Sequence, residues 1–279
     1  MTVRLIHMTD IHFNIQHPQA LEAATAFAHE TPHDLVILSG DITQSGLPEE
    51  FTACAAWIER LPKPVIVCPG NHDTTYYNVF MRIYRPWGRY RHWIGPTQDV
   101  EHQSPGLTVR TVNTARGIQL RRNWSKGIAD LDDFRRAGEA LNRAPAKCLR
   151  VLVCHHPLME VIGEPITAEV RRGKHAAAIL AEHNVDLVVT GHLHVPFAVT
   201  LPVGDERMHS VGGSTMSLRE RGVPIGFNVI EAEPDVIRVR AHGWVDGRFE
   251  VVKSWVLPRR TAAGPDMRAA PVGEVAATA

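Results

Sequence analysis

Histidine, aspartate and asparagine side chains come shortly after five apolar runs of the chain. The runs are rich in Val, Ile and Leu and cover residues 3–9, 35–38, 65–67, 151–153 and 187–189. The polar residues behind them are Asp10 and His12, Asp41, Asn71 with His72 and Asp73, His155 with His156, and His192 with His194. Any one group could be an ordinary turn, but turn chemistry favours Ser, Asn and Gly over repeated His. Taken together, the five groups indicate a metal site.

The candidate ligands offer nitrogen and oxygen but no thiolate. Cys68 and Cys154 only precede two of the groups, so a structural zinc site is disfavoured and Mn, Fe, Zn or Co in a mixed N/O site is favoured. The candidates outnumber the ligands of one tetrahedral ion. Two ions that share a carboxylate account for the surplus.

The apolar runs predict the elements that must position these side chains. Short apolar runs flanked by turn residues are typical of buried strands. Helix-like stretches lie between them, at 19–30, 48–61, 128–141 and 173–183. This alternation predicts an α/β architecture. In such a sheet the loops at the carboxyl ends of the strands meet in one crevice, which would gather ligands from distant parts of the chain.

The chain from about residue 195 shows strand patterns only. Apolar or alternating runs occur at 197–201, 208–211, 227–231, 236–241 and 249–256. We expect these runs to form a second sheet of their own, antiparallel or mixed.

Composition excludes several classes of protein. The 279 residues are 44% apolar, enough for a sizeable core, and the net charge of +0 disfavours a nucleic-acid partner. The four cysteines lack CxxC spacing and are expected to be free thiols. No window resembles a signal peptide or a membrane span, so a cytoplasmic protein is expected.

Two segments stand apart from this pattern. Residues 76–96 contain all four tyrosines of the chain, two tryptophans and several arginines. They are expected to form a packed helix and loop, or alternatively a substrate cap or the interface of a homo-oligomer. The region 258–279 is rich in Ala, Pro and Gly and is expected to be a flexible tail behind a domain that covers 1–257.

The motifs DIH, GD, GNHD, HHP and GHLH, in this order from Asp10 to His194, resemble those of the calcineurin-like metallophosphoesterase superfamily. The flanking stretches ILSGDITQSGLPEEF, IERLPKPVIVCPGNHD and GGSTMS are similar to its class III cyclic-nucleotide phosphodiesterase and glycerophosphodiesterase branch. The resemblance implies an α/β fold of four layers, an αββα sandwich with two mixed β-sheets flanked by helices. The metal site would lie at the carboxyl ends of the strands.

The resemblance also implies a role for each motif residue. One ion, divalent or part of a mixed-valence pair, would be held by Asp10, His12 and His194. The second would be held by Asn71, His155 and His192, with Asp41 bridging both. His155 is preferred over His156 because the family ligand stands two places before the proline. His72 would face the substrate phosphate, and Asp73 would orient it.

The implied activity is hydrolysis of a small phosphodiester by a metal-bridging hydroxide. The substrate would be a cyclic nucleotide such as 3',5'-cAMP or a glycerophosphodiester. An alternative hypothesis is a nuclease or phosphomonoesterase of the same superfamily. A further hypothesis is a non-catalytic scaffold with this fold, which the complete ligand set disfavours.

The neutral ligand Asn71 yields a prediction. Two divalent ions would bring four positive charges, of which Asp10 and Asp41 cancel two, so that a phosphate anion is attracted. We expect Asn71→Asp to retain or tighten metal binding but to raise KM for an anionic substrate. Steady-state kinetics on metal-loaded protein measure this, and unchanged KM and kcat would contradict the charge argument.

Overall fold

The computed structural model describes residues 2–75, 77–120, 123–160, 170–204 and 208–260. Its strands are, in chain order, β1 (Val3–Met8), β2 (Leu35–Leu38), β3 (Val65–Val67), β4 (Glu101–Ser104), β5 (Leu107–Thr111), β6 (Leu149–Val153), β7 (Leu187–Thr190), β8 (Phe197–Thr200), β9 (His209–Gly212), β10 (Gly226–Ala232), β11 (Val236–Val245) and β12 (Arg248–Pro258). Its helices are α1 (Pro18–Glu30), α2 (Pro48–Arg60), α3 (Val79–Tyr84), α4 (Gly88–Trp93), α5 (Leu131–Asn142) and α6 (Gly173–Glu182).

The strands form two six-stranded mixed sheets. The first has the order β12-β11-β10-β1-β2-β3, and the second has the order β4-β5-β6-β7-β9-β8. In the first sheet β1, β2 and β3 are parallel, whereas β10, β11 and β12 are antiparallel. In the second sheet β5, β6, β7 and β9 are parallel, with β4 and β8 antiparallel at the two edges.

Three apolar layers hold the sheets and helices together. The alternation of side chains along each strand sends Leu5 into the layer between the two sheets and Ile6 into the layer under α1 and α2. Across the second sheet, Val151 faces the first sheet and Leu152 packs with Phe134 of α5. The predicted αββα sandwich is therefore confirmed.

Local sequence explains where the longer helices begin. Pro18 and Pro48 occupy the first turns of α1 and α2, where a missing N–H costs nothing. The Asp130 carboxylate caps α5 by accepting a hydrogen bond from the Asp132 N–H. These starts lie within a few residues of the predicted ones.

The predicted arrangement of the C-terminal strands was wrong. These strands form no sheet of their own: β10, β11 and β12 extend the first sheet through β1, and β8 and β9 join the second through β7. The sequence analysis also missed the β4–β5 hairpin, although Leu107 and Val109 alternate as a buried strand requires. Pairing partners far apart in sequence are decided by tertiary contacts, which local patterns do not encode.

The aromatic segment 76–96 divides into a buried and an exposed half among its described residues. Tyr90 of α4 is buried against Phe51, whereas Phe80 and Tyr84 of α3 are 67% and 69% exposed. Whether this half caps a site or forms an interface stays a prediction.

The described part of the chain continues past residue 257, the predicted end of the domain, to residue 260. Pro258 closes β12, and the Arg259 N–H donates to the carbonyl of Asp235. The rest of the predicted tail, residues 261–279, lies outside the described residues. None of the described helices is long and apolar enough to span a membrane.

The packing predicts a stability contrast between two phenylalanines. Phe134 is fully buried and Phe80 is 67% exposed. We expect Phe134→Ala to lower the free energy of unfolding by about 3–5 kcal/mol, and Phe80→Ala to change it by about 0.5 kcal/mol or less. Chemical denaturation measures both, and equal losses would contradict the described packing.

Candidate metal centre

The loops after β1, β2, β3, β6 and β7 meet at one edge of the stacked sheets. They carry the predicted ligands Asp10, His12, Asp41, Asn71, His155, His192 and His194. Backbone hydrogen bonds join neighbouring loops, since the His12 N–H donates to the Asp41 carbonyl and the Gly191 N–H to the His155 carbonyl. Side chains from distant parts of the sequence are thereby brought within ligand distance of one another.

A first group of donor atoms comes from Asp10, His12 and His194. The His194 Nε2 lies 3.1 Å from Asp10 Oδ1 and 3.3 Å from His12 Nε2. The His12 Nε2 is 3.9 Å from the same carboxylate oxygen. Atoms that bind one ion at 2.0–2.2 Å stand about 3–4 Å apart, depending on the angle between the two bonds. The spacing of this group suits a single ion.

A second group lies around Asp41 and His155. The His155 Nε2 is 3.2 Å from Asp41 Oδ2, and donor atoms of His155, His156 and His192 lie within 4.8 Å of one another. Donor atoms of Asp10, Asp41 and His155 form another group within that distance. Those of His12, Asp41 and His72 form a further one. Asp41 thus stands between the two groups, in keeping with the bridging role that the resemblance implied.

Several of these buried atoms lack a hydrogen bond in the described part of the chain. They are Asp10 Oδ1, His12 Nδ1, Asn71 Oδ1 and His155 Nε2. Leaving a buried polar atom unpaired costs about 1–3 kcal/mol. Asp10 Oδ1 lies near His194 Nε2, and His155 Nε2 lies near Asp41 Oδ2, but neither contact has hydrogen-bond alignment. This is expected of atoms directed at a shared third centre, so the residues fit a metal ion.

Burial keeps two of the imidazoles in the form that binds metal. Desolvation lowers the pKa of His12 and of His192 to about 3, so both rings are neutral at pH 7. Burial also acts to lower the pKa of His155, but the Asp41 carboxylate outweighs it and raises that pKa to about 9. Metal binding at His155 would therefore release a proton.

Hydrogen bonds to the atoms that would not bind metal orient the predicted ligands. The Nδ1 of His155 is 2.9 Å from the Ser39 carbonyl, and the Nδ1 of His194 is 2.9 Å from the Arg219 carbonyl. Each bond leaves Nε2 as the ligand atom. On Asp10, the Oδ2 accepts from the Thr9 hydroxyl at 2.8 Å and the His192 N–H at 2.9 Å. Oδ1 remains for an ion.

Left-handed backbone conformations are concentrated at the site. Ten described non-glycine residues have a positive φ, and five of them are predicted ligands. Their φ angles lie between 49° and 71°, at Asp10, His12, Asp41, His192 and His194. Each such residue costs about 1–2 kcal/mol, and strain of this kind gathers where side-chain direction matters.

Glycine is required beside two of the ligands. Gly40 has a φ of +104°, and a Cβ there would lie 2.6 Å from His155 Nδ1. A Cβ at Gly70 would collide with the Asp41 carboxylate. The glycines of the GD and GNHD motifs therefore allow two loops to approach closely.

The expected role of Asp73 as the orienting partner of His72 was wrong. Its carboxylate accepts hydrogen bonds from the N–H of Gly70 at 2.8 Å and from the N–H and hydroxyl of Thr43 at 2.9 and 2.8 Å. It clamps the loop after β2 to the loop after β3. Buried backbone N–H groups and the Thr43 hydroxyl cluster around this carboxylate. They, and not the His72 imidazole, are its hydrogen-bond partners.

His72 is oriented by other groups. Its Nδ1 is 2.6 Å from the Gln44 carbonyl, its Nε2 is 3.0 Å from Arg219 Nη1, and its N–H donates to Asp41 Oδ1 at 2.7 Å. Sequence reasoning missed Gln44 and Arg219 as site residues. No local signal marks a backbone carbonyl, but Arg219 stands just after the GGSTMS stretch.

His156 lies in the site but both of its ring nitrogens are engaged. Nδ1 is 2.8 Å from the Thr114 hydroxyl and Nε2 is 2.7 Å from the Ser125 carbonyl. This agrees with the preference for His155 as the ligand.

Comparison with known proteins identifies the family. The model of the family described as calcineurin-like phosphoesterase matches residues 3–196. The chain belongs to this family, and its fold and its His and Asp clusters are those of a metal-dependent phosphoesterase, a hydrolase.

Two curated relatives and one solved structure illustrate the similarity. A probable cyclic nucleotide phosphodiesterase of Synechococcus sp. is 26% identical over 88% of this chain and 94% of its own length. A probable cyclic nucleotide phosphodiesterase of Rhodococcus erythropolis is 25% identical over 80% and 74%. The purple acid phosphatase PPD1 of yellow lupin (Lupinus luteus) shares the fold, with a TM-score of 0.63, 12% identity and coverage of 97% and 57%.

The geometry predicts different outcomes for Asp41 and His72. Asp41→Asn is expected to lose one or both ions and, with them, about 10²-fold or more of phosphoesterase turnover. His72→Asn is expected to retain both ions while turnover falls by about 10²–10⁴-fold. Elemental analysis of purified protein, paired with a diester assay, measures both quantities. Full metal content in Asp41→Asn, or metal loss in His72→Asn, would reverse these assignments.

Proposed function

We propose that this protein is a dinuclear metal-dependent phosphodiesterase that hydrolyses a small phosphodiester, with a 3',5'-cyclic nucleotide as the first candidate. The observation that supports it most is that two groups of buried Asp and His side chains both reach Asp41, and that Asp10 Oδ1 and His155 Nε2 within them have no hydrogen-bond partner among the described residues. Two groups of ligands joined by one carboxylate are the arrangement that a two-ion phosphoesterase requires.

The ligands divide between the two ions as follows. Asp10, His12 and His194 would hold the first ion, Asn71, His155 and His192 the second, and Asp41 both. Bound ions of this kind lower the pKa of water and stabilise charge on phosphoryl oxygens. Only Asp10 and Asp41 of the seven ligands carry negative charge, so the loaded site keeps the positive charge that attracts a phosphate anion.

His72 would donate a hydrogen bond or proton to the leaving group. Its Nδ1 is directed at the Gln44 carbonyl, which holds the ring with Nε2 toward the site, where a protonated ring would donate a hydrogen bond or proton to the leaving oxygen. The side chain is half-buried, so it can reach a bound ester.

A cyclic nucleotide is favoured over other esters by the relatives. Both curated relatives carry the name probable cyclic nucleotide phosphodiesterase, and the first aligns over 88% of this chain. A neutral net charge offers little attraction for a long nucleic acid.

A substrate panel tests the proposal. Protein reconstituted with Mn, Fe, Zn or Co would be assayed on 3',5'-cAMP, a glycerophosphodiester, bis(p-nitrophenyl) phosphate, p-nitrophenyl phosphate and linear DNA. We expect kcat/KM for the cyclic nucleotide and the chromogenic diester to exceed that for the monoester by about tenfold or more, a difference of about 1.4 kcal/mol.

The Asp41→Asn variant, purified in parallel, controls for contaminating phosphatases. Preference for the monoester or for DNA would replace the proposed activity with one of the alternatives. Inactivity toward every ester after reconstitution would favour the non-catalytic scaffold.

A further inference from the structure

The segment between β9 and β10 is fastened to the loop that carries the first ligands. The Thr215 hydroxyl donates to the Asp10 carbonyl at 2.6 Å, and the Met216 N–H donates to the same oxygen at 3.3 Å. Further along, the Leu218 N–H donates to the Ile15 carbonyl at 3.0 Å. The residue that follows, Arg219, therefore has a backbone position set by the metal-binding loop.

Arg219 contacts the site through two different groups. Its carbonyl oxygen is 2.9 Å from His194 Nδ1, and its guanidinium Nη1 is 3.0 Å from His72 Nε2. A guanidinium only donates hydrogen bonds, so His72 Nε2 accepts this one and Nδ1–H donates to Gln44. The side chain points at the nitrogen that would face a substrate.

The guanidinium has no counter-ion in the described part of the chain. The ion pairs there pair other arginines with carboxylates, among them Arg4 with Glu231 and Arg110 with Glu101, but none includes Arg219. The half-buried Arg219 side chain thus directs a full positive charge at the site. Arginine placed in this way suits a planar, two-oxygen contact with phosphate.

We propose that Arg219 is a substrate-binding residue that, with His72, clamps the phosphate of the ester. This deepens the proposed function and rests on it for the identity of the substrate. A phosphodiester keeps two non-bridging oxygens, which a guanidinium fork can contact. On substrate binding, the hydrogen bond between Arg219 and His72 would be replaced by hydrogen bonds from both side chains to one phosphate oxygen.

The chain offers a matched control two residues away. Arg221 carries the same charge on the same segment but is exposed. Every substitution of Arg219 retains its backbone carbonyl, so the hydrogen bond to His194 is preserved. The side chain can therefore be tested apart from the support of the metal ligand.

The experiment compares wild type, Arg219→Gln, Arg219→Lys and Arg221→Gln, all metal-reconstituted. The measurements are metal content, the affinity for inorganic phosphate by calorimetry, and kcat and KM on bis(p-nitrophenyl) phosphate. We expect Arg219→Gln to weaken phosphate binding and to raise KM by about 10- to 100-fold, the range for a hydrogen bond to a charged group. Metal content should not change, Lys should restore part of the affinity, and Arg221→Gln should match wild type.

Four results would overturn the proposal. They are wild-type phosphate affinity in Arg219→Gln, metal loss in that variant, an equal loss in Arg221→Gln, and failure of the loaded wild type to bind phosphate. If phosphate binding depends on Arg219 but no diester is cleaved, the proposed function fails and the anion contact stands. If Arg219→Gln cleaves diesters as well as wild type does, the proposed function stands and the role of Arg219 in substrate binding fails.

Discussion

The apolar layer between the two sheets is the contact on which the metal centre depends. It packs side chains of β1, β2 and β3 against those of β5, β6 and β7, with Leu5, Ile37 and Val151 among its twenty buried residues. Burial of one such aliphatic side chain contributes about 1.5–3 kcal/mol. This packing sets the carboxyl ends of both groups of parallel strands at one edge, so that Asp10 and Asp41 face His155 and His192.

The same layer makes the strain at the site tolerable. Five of the predicted ligand residues hold a left-handed backbone conformation, at a cost of about 1–2 kcal/mol each. Hydrogen bonds between the loops, such as the one between His192 N–H and Asp10 Oδ2, hold these conformations in register. Without the packed sheets behind them, the loops would relax and the donor atoms would separate. The packed fold therefore fixes the direction of the predicted ligand side chains.

Electrostatics completes the arrangement. Asp10 and Asp41 are buried, and unpaired carboxylates in an apolar setting would be costly. Neighbouring imidazoles balance them: burial acts to raise the pKa of Asp41, but the contact with His155 outweighs it and holds that pKa well below its usual range. Metal ions would take over this role from the His155 proton. Arg219 directs a positive charge at His72, where the proposed phosphate would bind.

The candidate ligands could be predicted from the sequence because the ability to bind metal is a property of the side chain itself. Asp10, Asp41, His155 and the others follow apolar runs, and the fold brought the Asp and His residues of the predicted ligand set together at one edge. The four-layer sandwich was likewise predicted, since helix and strand periodicity is local. The sheet assignment of β10–β12 was not, because pairing between distant strands is settled by burial in the folded chain. The β4–β5 hairpin is local, but its first strand, Glu101–Ser104, is polar and half exposed and gives no apolar pattern.

The sequence by itself thus determined which side chains could bind metal and in what kind of fold. Only the tertiary structure decided which of them do something else. Asp73 ties two loops together through backbone amides, His156 has both nitrogens engaged, and Arg219 joins the site from a segment 25 residues beyond His194. These roles depend on which donors and acceptors become neighbours when the two sheets pack, and that is a property of the folded chain.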